Sequence, residues 1–155
     1  MRLTEYSPHY LAILLAFLQP IIILVYMGPM YSISTIWHTE LQPLFIISNA
    51  ITSFLFFCTS RWTIPSLLLL ILTSFSVDMY PQFHTGVALL FFLSCYYPLL
   101  MINRLRFYSY IYLISGPIGY FYGLFWLEVW CIYILCLYHI HYIWHLKEIK
   151  KTNLN

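Results

Sequence analysis

The sequence predicts an all-α fold, a polytopic transmembrane bundle of six helices with both chain ends on the cytoplasmic side. The first observation behind this prediction is composition, because 62% of the residues are hydrophobic and only 8% are charged. A soluble domain carries about 25% charged residues, so lipid is the solvent that suits this chain. The second observation is that the basic residues fall in segments that six spans would place on one side of the membrane.

The predicted spans are six apolar stretches bounded by charged residues, prolines and turn residues. A helix needs about 20 residues to cross a hydrocarbon layer of about 30 Å, so the short third stretch would use residues at its ends. The predicted spans cover residues 10–27, 43–60, 63–78, 84–103, 107–123 and 125–145, and a polar cytoplasmic tail follows over 146–155. No linker interrupts the chain, which is expected to form one transmembrane domain.

The basic residues predict the orientation of the bundle. Cytoplasmic loops of membrane proteins carry an excess of Lys and Arg. With the amino terminus inside, the second and fourth loops and both tails are cytoplasmic, and they contain every basic residue. These residues are Arg2, Arg61, Arg104, Arg106, Lys147, Lys150 and Lys151. Removing any single span would distribute them over both sides of the membrane.

Local features predict irregularities within the bundle. The first outer loop, 28–42, has room for a short interfacial helix with Trp37 at the level of the lipid head groups. Pro117 should kink the fifth span, where Gly119 and Gly123 form a pair suited to close helix packing. The hydroxyl groups of deep tyrosines such as Tyr112 need partners, either in a polar cavity or on a neighbouring helix.

A group of acidic and imidazole side chains lies near the predicted outer ends of the helices. The group comprises His38, Glu40, Asp78, His84 and Glu128. Carboxylates are costly in hydrocarbon and usually lie where water or a partner is available. If the bundle gathers these groups, they could bind a cation, a lipid head-group amine or a proton. The alternative is that these residues lie in loops exposed to water, where they need no functional explanation. Asp78 and His84 bracket a short turn and are the expected centre of a site.

A second group of histidines lies at the predicted cytoplasmic end of the last span. His141 and His145 are one helical turn apart, which suits two ligands of one metal ion, with His9 as a third ligand on the same side. A similar HxxxH pair closes the last helix of the seven-helix zinc-dependent hydrolases of the alkaline ceramidase and adiponectin receptor group. The chain departs from that group in helix number, and Asn49 is the nearest polar residue to the Asp expected in an early helix. No cofactor is expected. The alternatives are zinc, or a haem held by His9 together with His139 or His141.

The stretch from Asp78 to Phe92, with His84 followed by Ala88 and paired phenylalanines, resembles the start of the fourth helix in the Frag/DRAM/Sfk group of six-span membrane proteins and its bacterial uncharacterised relatives. The segment ending at Ser34 is similar to the serine-bearing first loop of that group. The resemblance covers about 25 residues. It implies a role in lipid handling, with His84 as the central residue and Asp78 and Ser34 beside it.

These features predict a small, non-enzymatic membrane protein that binds or senses lipid through the outer Asp/His site. The sequence lacks GxSxG, HExxH and Walker motifs, which argues against several enzyme classes without deciding the question. The alternatives are an accessory subunit of a larger membrane complex, a zinc-dependent lipid hydrolase and a proton or small-molecule transporter. Expected partners are membrane lipids and other membrane subunits. Nucleic acid is not expected, because the basic residues are scattered. A bacterial inner membrane or an organelle membrane is the expected location.

Overall fold

Seven α-helices form most of the chain in this computed structural model, which describes residues 7–58 and 62–152. The α-helices are α1 (Ser7–Met27), α2 (Gln42–Phe57), α3 (Thr63–Ser74), α4 (Pro81–Leu100), α5 (Phe107–Leu113), α6 (Ser115–Tyr122) and α7 (Leu124–Thr152). Short 3₁₀ helices lie over Ile33–His38 and Asn103–Leu105. No strand occurs within these two described ranges. The all-α prediction is confirmed.

Prolines and glycines mark several helix ends. Pro43 and Pro81 lie in the first turns of α2 and α4, where the missing N–H has no intrahelical partner to lose. Gly28 follows α1 with a φ of 73°, and Gly123 follows α6 with a φ of 96°. Glycine adopts these positive φ values without the steric cost that a Cβ would impose.

All six predicted spans contain helix, but their lengths differ. Helices α1, α4 and α7 are long and apolar enough to cross a membrane, by length and composition. Helices α2 and α3 have only 16 and 12 residues. The prediction of a transmembrane protein is therefore supported in general terms. The count of six crossings and the orientation stay predictions.

The predicted fifth span, 107–123, is divided into α5 and α6 at Ile114. Pro117 has no N–H and cannot donate to the carbonyl of Leu113, four residues earlier. The N–H of Ile114 bonds to the carbonyl of Ile111 at 3.2 Å, which closes the end of α5. The expected irregularity is present and lies one turn before the proline.

Helix α7 is the longest element, with 29 residues, and it continues through most of the predicted polar tail. Near its end, Lys147 Nζ donates to Tyr10 Oη of α1 at 2.9 Å. Several predictions concern residues outside the described ranges, namely Arg2, Arg61, the end of the second span (59–60) and the end of the tail (153–155).

The helices pack as neighbours in chain order, with α7 also contacting α1 and α5. Helices α2, α3 and α4 run in alternating directions. The Ser53 hydroxyl near the end of α2 donates to the carbonyl of Ser66 near the start of α3. The ring of His84 near the start of α4 bonds to the carbonyl of Phe75, just after α3. The short loops thus produce an antiparallel bundle, as the sequence predicts.

Helices α6 and α7 approach closely at one glycine. A Cβ at Gly119 would collide with Cδ1 of Leu127 on α7, so a larger residue there would require the Leu127 side chain to shift. Gly123, the other member of the predicted packing pair, supplies the turn between the two helices. One of the two glycines is therefore a packing residue and the other a turn residue.

The bundle has two ends that differ in their charged groups. The end with the 3₁₀ helix Ile33–His38, Asp78 and Glu128 is called the acidic end here. At the opposite, basic end, Arg104 Nη1 donates to Glu148 Oε2 at 2.7 Å. Between the ends, many large apolar side chains are exposed on the flanks of the helices. An apolar flank of this extent suits contact with lipid rather than water.

The expected short helix in the first outer loop is present as the 3₁₀ helix Ile33–His38. Trp37 is half-buried and packs edge-on against Phe45, with ring centroids 6.3 Å apart. The side chains of Ile33 and Ile36 are buried against α1, α2 and α7, so this segment belongs to the packed core. A location of Trp37 at the head groups stays a prediction.

Candidate binding site at the acidic end

A cavity of about 980 Å³ lies at the acidic end between α4, α5, α6 and the start of α7. The 3₁₀ helix Ile33–His38 contributes to its wall. Most of the lining is apolar or aromatic, and a smaller set of residues brings polar groups. This set includes Ser34, His38, His84, Tyr96, Tyr112 and Glu128. We call this space the acidic-end cavity.

Glu128 is buried in the second turn of α7, and only 7% of its surface is exposed. Its Oε2 accepts a hydrogen bond from the backbone N–H of Ile33 at 2.5 Å. Ile33 begins the 3₁₀ helix, where amide groups lack intrahelical partners and favour a negative charge. The N–H of Phe125 also bonds to the carbonyl of Tyr31 at 3.1 Å. Glu128 therefore links the loop 28–42 to α7 by a hydrogen bond.

His84 is buried in the first turn of α4 and has one satisfied ring nitrogen. Its Nδ1 is 2.9 Å from the carbonyl oxygen of Phe75. A carbonyl only accepts, so Nδ1 carries the hydrogen and Nε2 of the neutral ring is an acceptor. This Nε2 is buried and has no partner among the described residues. The His84 side chain thus lines the cavity, and its Nε2 is covered by neighbouring atoms with its hydrogen-bonding capacity unused among the described residues.

Ser34 lies on the cavity wall within a small hydroxyl cluster. Its Oγ is 2.8 Å from Oγ of Ser32, which is also 3.1 Å from Oγ1 of Thr35. These contacts lie within the loop that Glu128 contacts through Ile33. They fix the positions of the hydroxyl groups in the wall of the acidic-end cavity.

The other predicted site residues have different positions. His38 lines the cavity, but its Nε2 also lies 3.2 Å from Oδ1 of Asp78, and both side chains are exposed. Asp78 is therefore a surface partner of His38 and does not line the cavity with His84. Glu40 is exposed and also lies outside the cavity lining. The structure brings Ser34, His84 and Glu128 together.

Tyr112 shows both of the environments expected for the hydroxyl groups of deep tyrosines, a neighbouring helix and a cavity. Its hydroxyl donates to the carbonyl of Phe92 on α4 at 3.0 Å, and its side chain lines the cavity. Sequence reasoning missed Cys131 and Thr35, which also line the cavity. Their only sequence signal is that they are polar or sulfur-bearing residues within or beside apolar stretches.

The predicted metal ligands at the basic end do not form a cluster. Nδ1 of His141 is 2.5 Å from the hydroxyl of Tyr108, so one nitrogen of this ring is already engaged. His9 and His145 each have a buried Nδ1 without a partner in the described ranges. Within those ranges, no group of three or more His, Cys, Asp or Glu residues could hold a metal ion.

Comparisons of this chain with family models, with curated proteins and with solved structures found no match. The class of the protein therefore follows from the fold alone. Over residues 7–58 and 62–152 the chain is α-helical and has three helices long and apolar enough to cross a membrane, and the acidic-end cavity is its candidate binding site.

Proposed function

We propose that the protein is a six-span membrane protein that binds a lipid in the acidic-end cavity, without catalysing a reaction. The acidic end faces outward and the basic end faces the cytoplasm. The alternating helix directions support this orientation, as do Arg104 and Lys147, which lie at the same end of the bundle. Helices α2 and α3 complete their crossings with loop residues, since about 20 residues are needed to span the hydrocarbon layer.

The position of the cavity supports access from the membrane. Leu89, Leu93 and Leu113 line the cavity and are 60%, 61% and 56% exposed on the flank of the bundle. Wall residues that are also exposed on an apolar flank indicate a lateral opening. Acyl chains would enter through this opening without crossing water.

The polar groups of the cavity suit a head group with hydrogen-bond donors. The Glu128 carboxylate only accepts hydrogen bonds, and it has acceptor sites beyond the one used by Ile33. Nε2 of neutral His84 also accepts. An ethanolamine or glycerol head group offers N–H or O–H donors, whereas choline offers none.

One observation carries the proposal: the side chain of His84, whose buried Nε2 has no partner among the described residues, lies in the same cavity wall as Glu128. A buried polar atom without a partner costs about 1–3 kcal/mol. A bound head group would supply the missing donor. The resemblance of residues 78–92 to the Frag/DRAM/Sfk group indicates the same histidine and stays a prediction.

The test measures lipid retained by purified protein after incubation with vesicles of equal phosphatidylethanolamine and phosphatidylcholine content. The unaltered protein should retain phosphatidylethanolamine in preference, by mass spectrometry of the intact complex. H84F and E128Q should each lower this retention several-fold. H141F at the basic end and E40Q outside the cavity are matched controls and should retain lipid normally. Normal retention by folded H84F and E128Q would refute the proposal.

A second candidate function, an accessory subunit of a larger membrane complex, is favoured by the end of α6. Tyr120, Phe121 and Tyr122 are 85%, 75% and 73% exposed. Three adjacent exposed aromatic side chains suit contact with a partner helix. Purification in mild detergent should then recover a stoichiometric membrane partner, lost on changing all three residues to alanine. Recovery of a monomer alone would count against this role.

A further inference from the structure

Basic side chains from two separate parts of the chain meet at the basic end of the bundle. Two are arginines at the 3₁₀ helix Asn103–Leu105, and three are lysines in the last two turns of α7. The bond from Arg104 Nη1 to Glu148 Oε2 joins these parts across 44 positions of sequence. We call the five residues the basic cluster. They are Arg104, Arg106, Lys147, Lys150 and Lys151.

The basic cluster has an excess of positive charge. Within residues 7–58 and 62–152, Glu148 is the one acidic residue at this end, because Glu40, Asp78 and Glu128 lie at the acidic end. Five basic groups and one carboxylate leave a net charge of +4. Lys147 is half-buried, and the other four basic side chains are exposed. A surface of this charge attracts an anionic partner.

The length of α7 places the basic cluster at the level of the lipid head groups. Helix α7 has 29 residues, whereas about 20 residues cross the hydrocarbon layer. A crossing that begins at Phe125 therefore ends near Trp144, which is 59% exposed. Exposed Trp and Tyr residues are typical of the boundary between membrane and water. Tyr10, which is also exposed, accepts the hydrogen bond from Lys147 at this level. The lysines that follow Trp144 thus lie in the head-group layer.

The two arginines supply donors that suit a phosphate group. Arg106 Nη2 donates to Asn103 Oδ1 at 2.6 Å, and Arg104 donates to Glu148. A guanidinium has five N–H donors, so each arginine can bind a phosphate oxygen beside these contacts. A lysine ammonium adds a compact positive charge. The basic cluster therefore combines directed donors with mobile charges.

Stabilisation of the helices explains only part of this arrangement. Lysines in the last turn of a helix interact favourably with its dipole, which accounts for Lys150 and Lys151. The pair with Glu148 accounts for Arg104. Neither effect accounts for the exposed Arg106, or for the meeting of basic groups from two elements at the head-group level.

We propose that the basic cluster binds the phosphate of an anionic membrane phospholipid such as phosphatidylglycerol. Phosphatidylcholine is disfavoured, because the positive charge of its own head group repels the basic side chains. Glu148 repels the phosphate and partly neutralises Arg104, so it limits the affinity of the site. The proposal rests on α7 crossing the bilayer. It does not depend on lipid in the acidic-end cavity, nor on the side of the membrane that the basic end faces.

The experiment places full-length protein in detergent micelles that contain equal amounts of phosphatidylglycerol and phosphatidylcholine. Mass spectrometry of the intact complex gives the ratio of the two retained lipids. The unaltered protein should retain several-fold more phosphatidylglycerol, and added sodium chloride should reduce this excess by screening the exposed charges. The double variant R104Q/R106Q should lower the ratio several-fold. The double variant K150R/K151R keeps both charges and should leave the ratio unchanged.

E148Q separates lipid binding from a purely structural role of the ion pair. It breaks the same pair as the loss of Arg104 but removes a negative charge, so the ratio should rise. E40Q makes the same change at an exposed carboxylate of the acidic end and should leave the ratio unchanged. Circular dichroism and thermal unfolding check that each variant is folded. A lower ratio in both folded E148Q and folded R104Q/R106Q would show a structural role and refute the proposal.

Two further results would also overturn the proposal. One is equal retention of the two lipids by the unaltered protein. The other is displacement of phosphatidylglycerol by inorganic phosphate at matched ionic strength, which would identify a site for free phosphate. The acidic-end test compares phosphatidylethanolamine with phosphatidylcholine in other variants, so failure of either proposal is distinguishable from failure of the other.

Discussion

The acidic and basic ends of the bundle contain the same kinds of side chain and use them differently. At the acidic end, His84 and Glu128 are buried beside a cavity, and His84 has an unpartnered nitrogen. At the basic end, His141 bonds to Tyr108 and the exposed Glu148 pairs with an arginine. The comparison teaches that residue type alone does not mark a site. Unused bonding capacity marks a candidate site only where a cavity adjoins it, since His9 and His145 at the basic end also keep a buried Nδ1 without a partner in the described ranges.

The division of the predicted fifth span into α5 and α6 helps to explain the cavity at the acidic end. Helix α6 has no buried residue, whereas α5 buries Tyr108, Ser109 and Tyr112. Since α6 contributes little to the core, the space between α4 and the start of α7 stays unfilled there. Pro117, in the first turn of α6, is therefore linked to the cavity through that helix.

The largest expected effect is a difference in cysteine labelling between the two ends, because they are proposed to lie on opposite sides of the membrane. D78C and R104C, each made in a C58S background because Cys58 is exposed, are treated with a membrane-impermeant maleimide on intact cells. D78C should be labelled directly, and R104C only after permeabilisation, since the proposed orientation puts them on opposite sides. The other three cysteines are buried and serve as an internal background. Labelling of both positions from the same side would overturn the orientation.

A smaller effect is expected on stability at the acidic end. E128L removes the acceptor of the Ile33 amide, and a buried amide left without a partner costs about 1–3 kcal/mol. The free energy of unfolding in detergent should fall by that amount. E128Q keeps a carbonyl acceptor and should lose less, while E40L, at an exposed carboxylate, should lose almost nothing. Equal stability of E128L and the unaltered protein would show that this bond does not hold the loop.

The smallest change in the free energy of unfolding is expected at the basic end. R104A breaks the pair with Glu148, whose side chains are 61% and 39% exposed. Exposed ion pairs contribute about 0.2–1 kcal/mol and are screened by salt. Unfolding with and without added salt should show a loss below 1 kcal/mol that shrinks as salt rises. A loss as large as that of E128L would remove the contrast between the two ends.

Much of the fold was predictable from local sequence. The apolar stretches and the positions of proline and glycine indicated where most helices begin and end, and the length of the loop 28–42 indicated a short helix within it. The site was predictable only in part. Asp78 and His84 are close in sequence, but Asp78 lies in an exposed turn and pairs with His38. His84, in the first turn of α4, bonds instead to the carbonyl of Phe75.

The sequence by itself determined that this chain is helical and suited to a membrane. Composition and the lengths of apolar stretches are properties of the linear chain and do not depend on which distant residues come into contact. Only the tertiary structure decided that Glu128 caps the amide of Ile33, 95 positions away in the chain. It also decided that His84 and His139 each keep a buried nitrogen without a partner in the described ranges. Such features depend on how distant helices pack and on which side chains they leave facing a cavity.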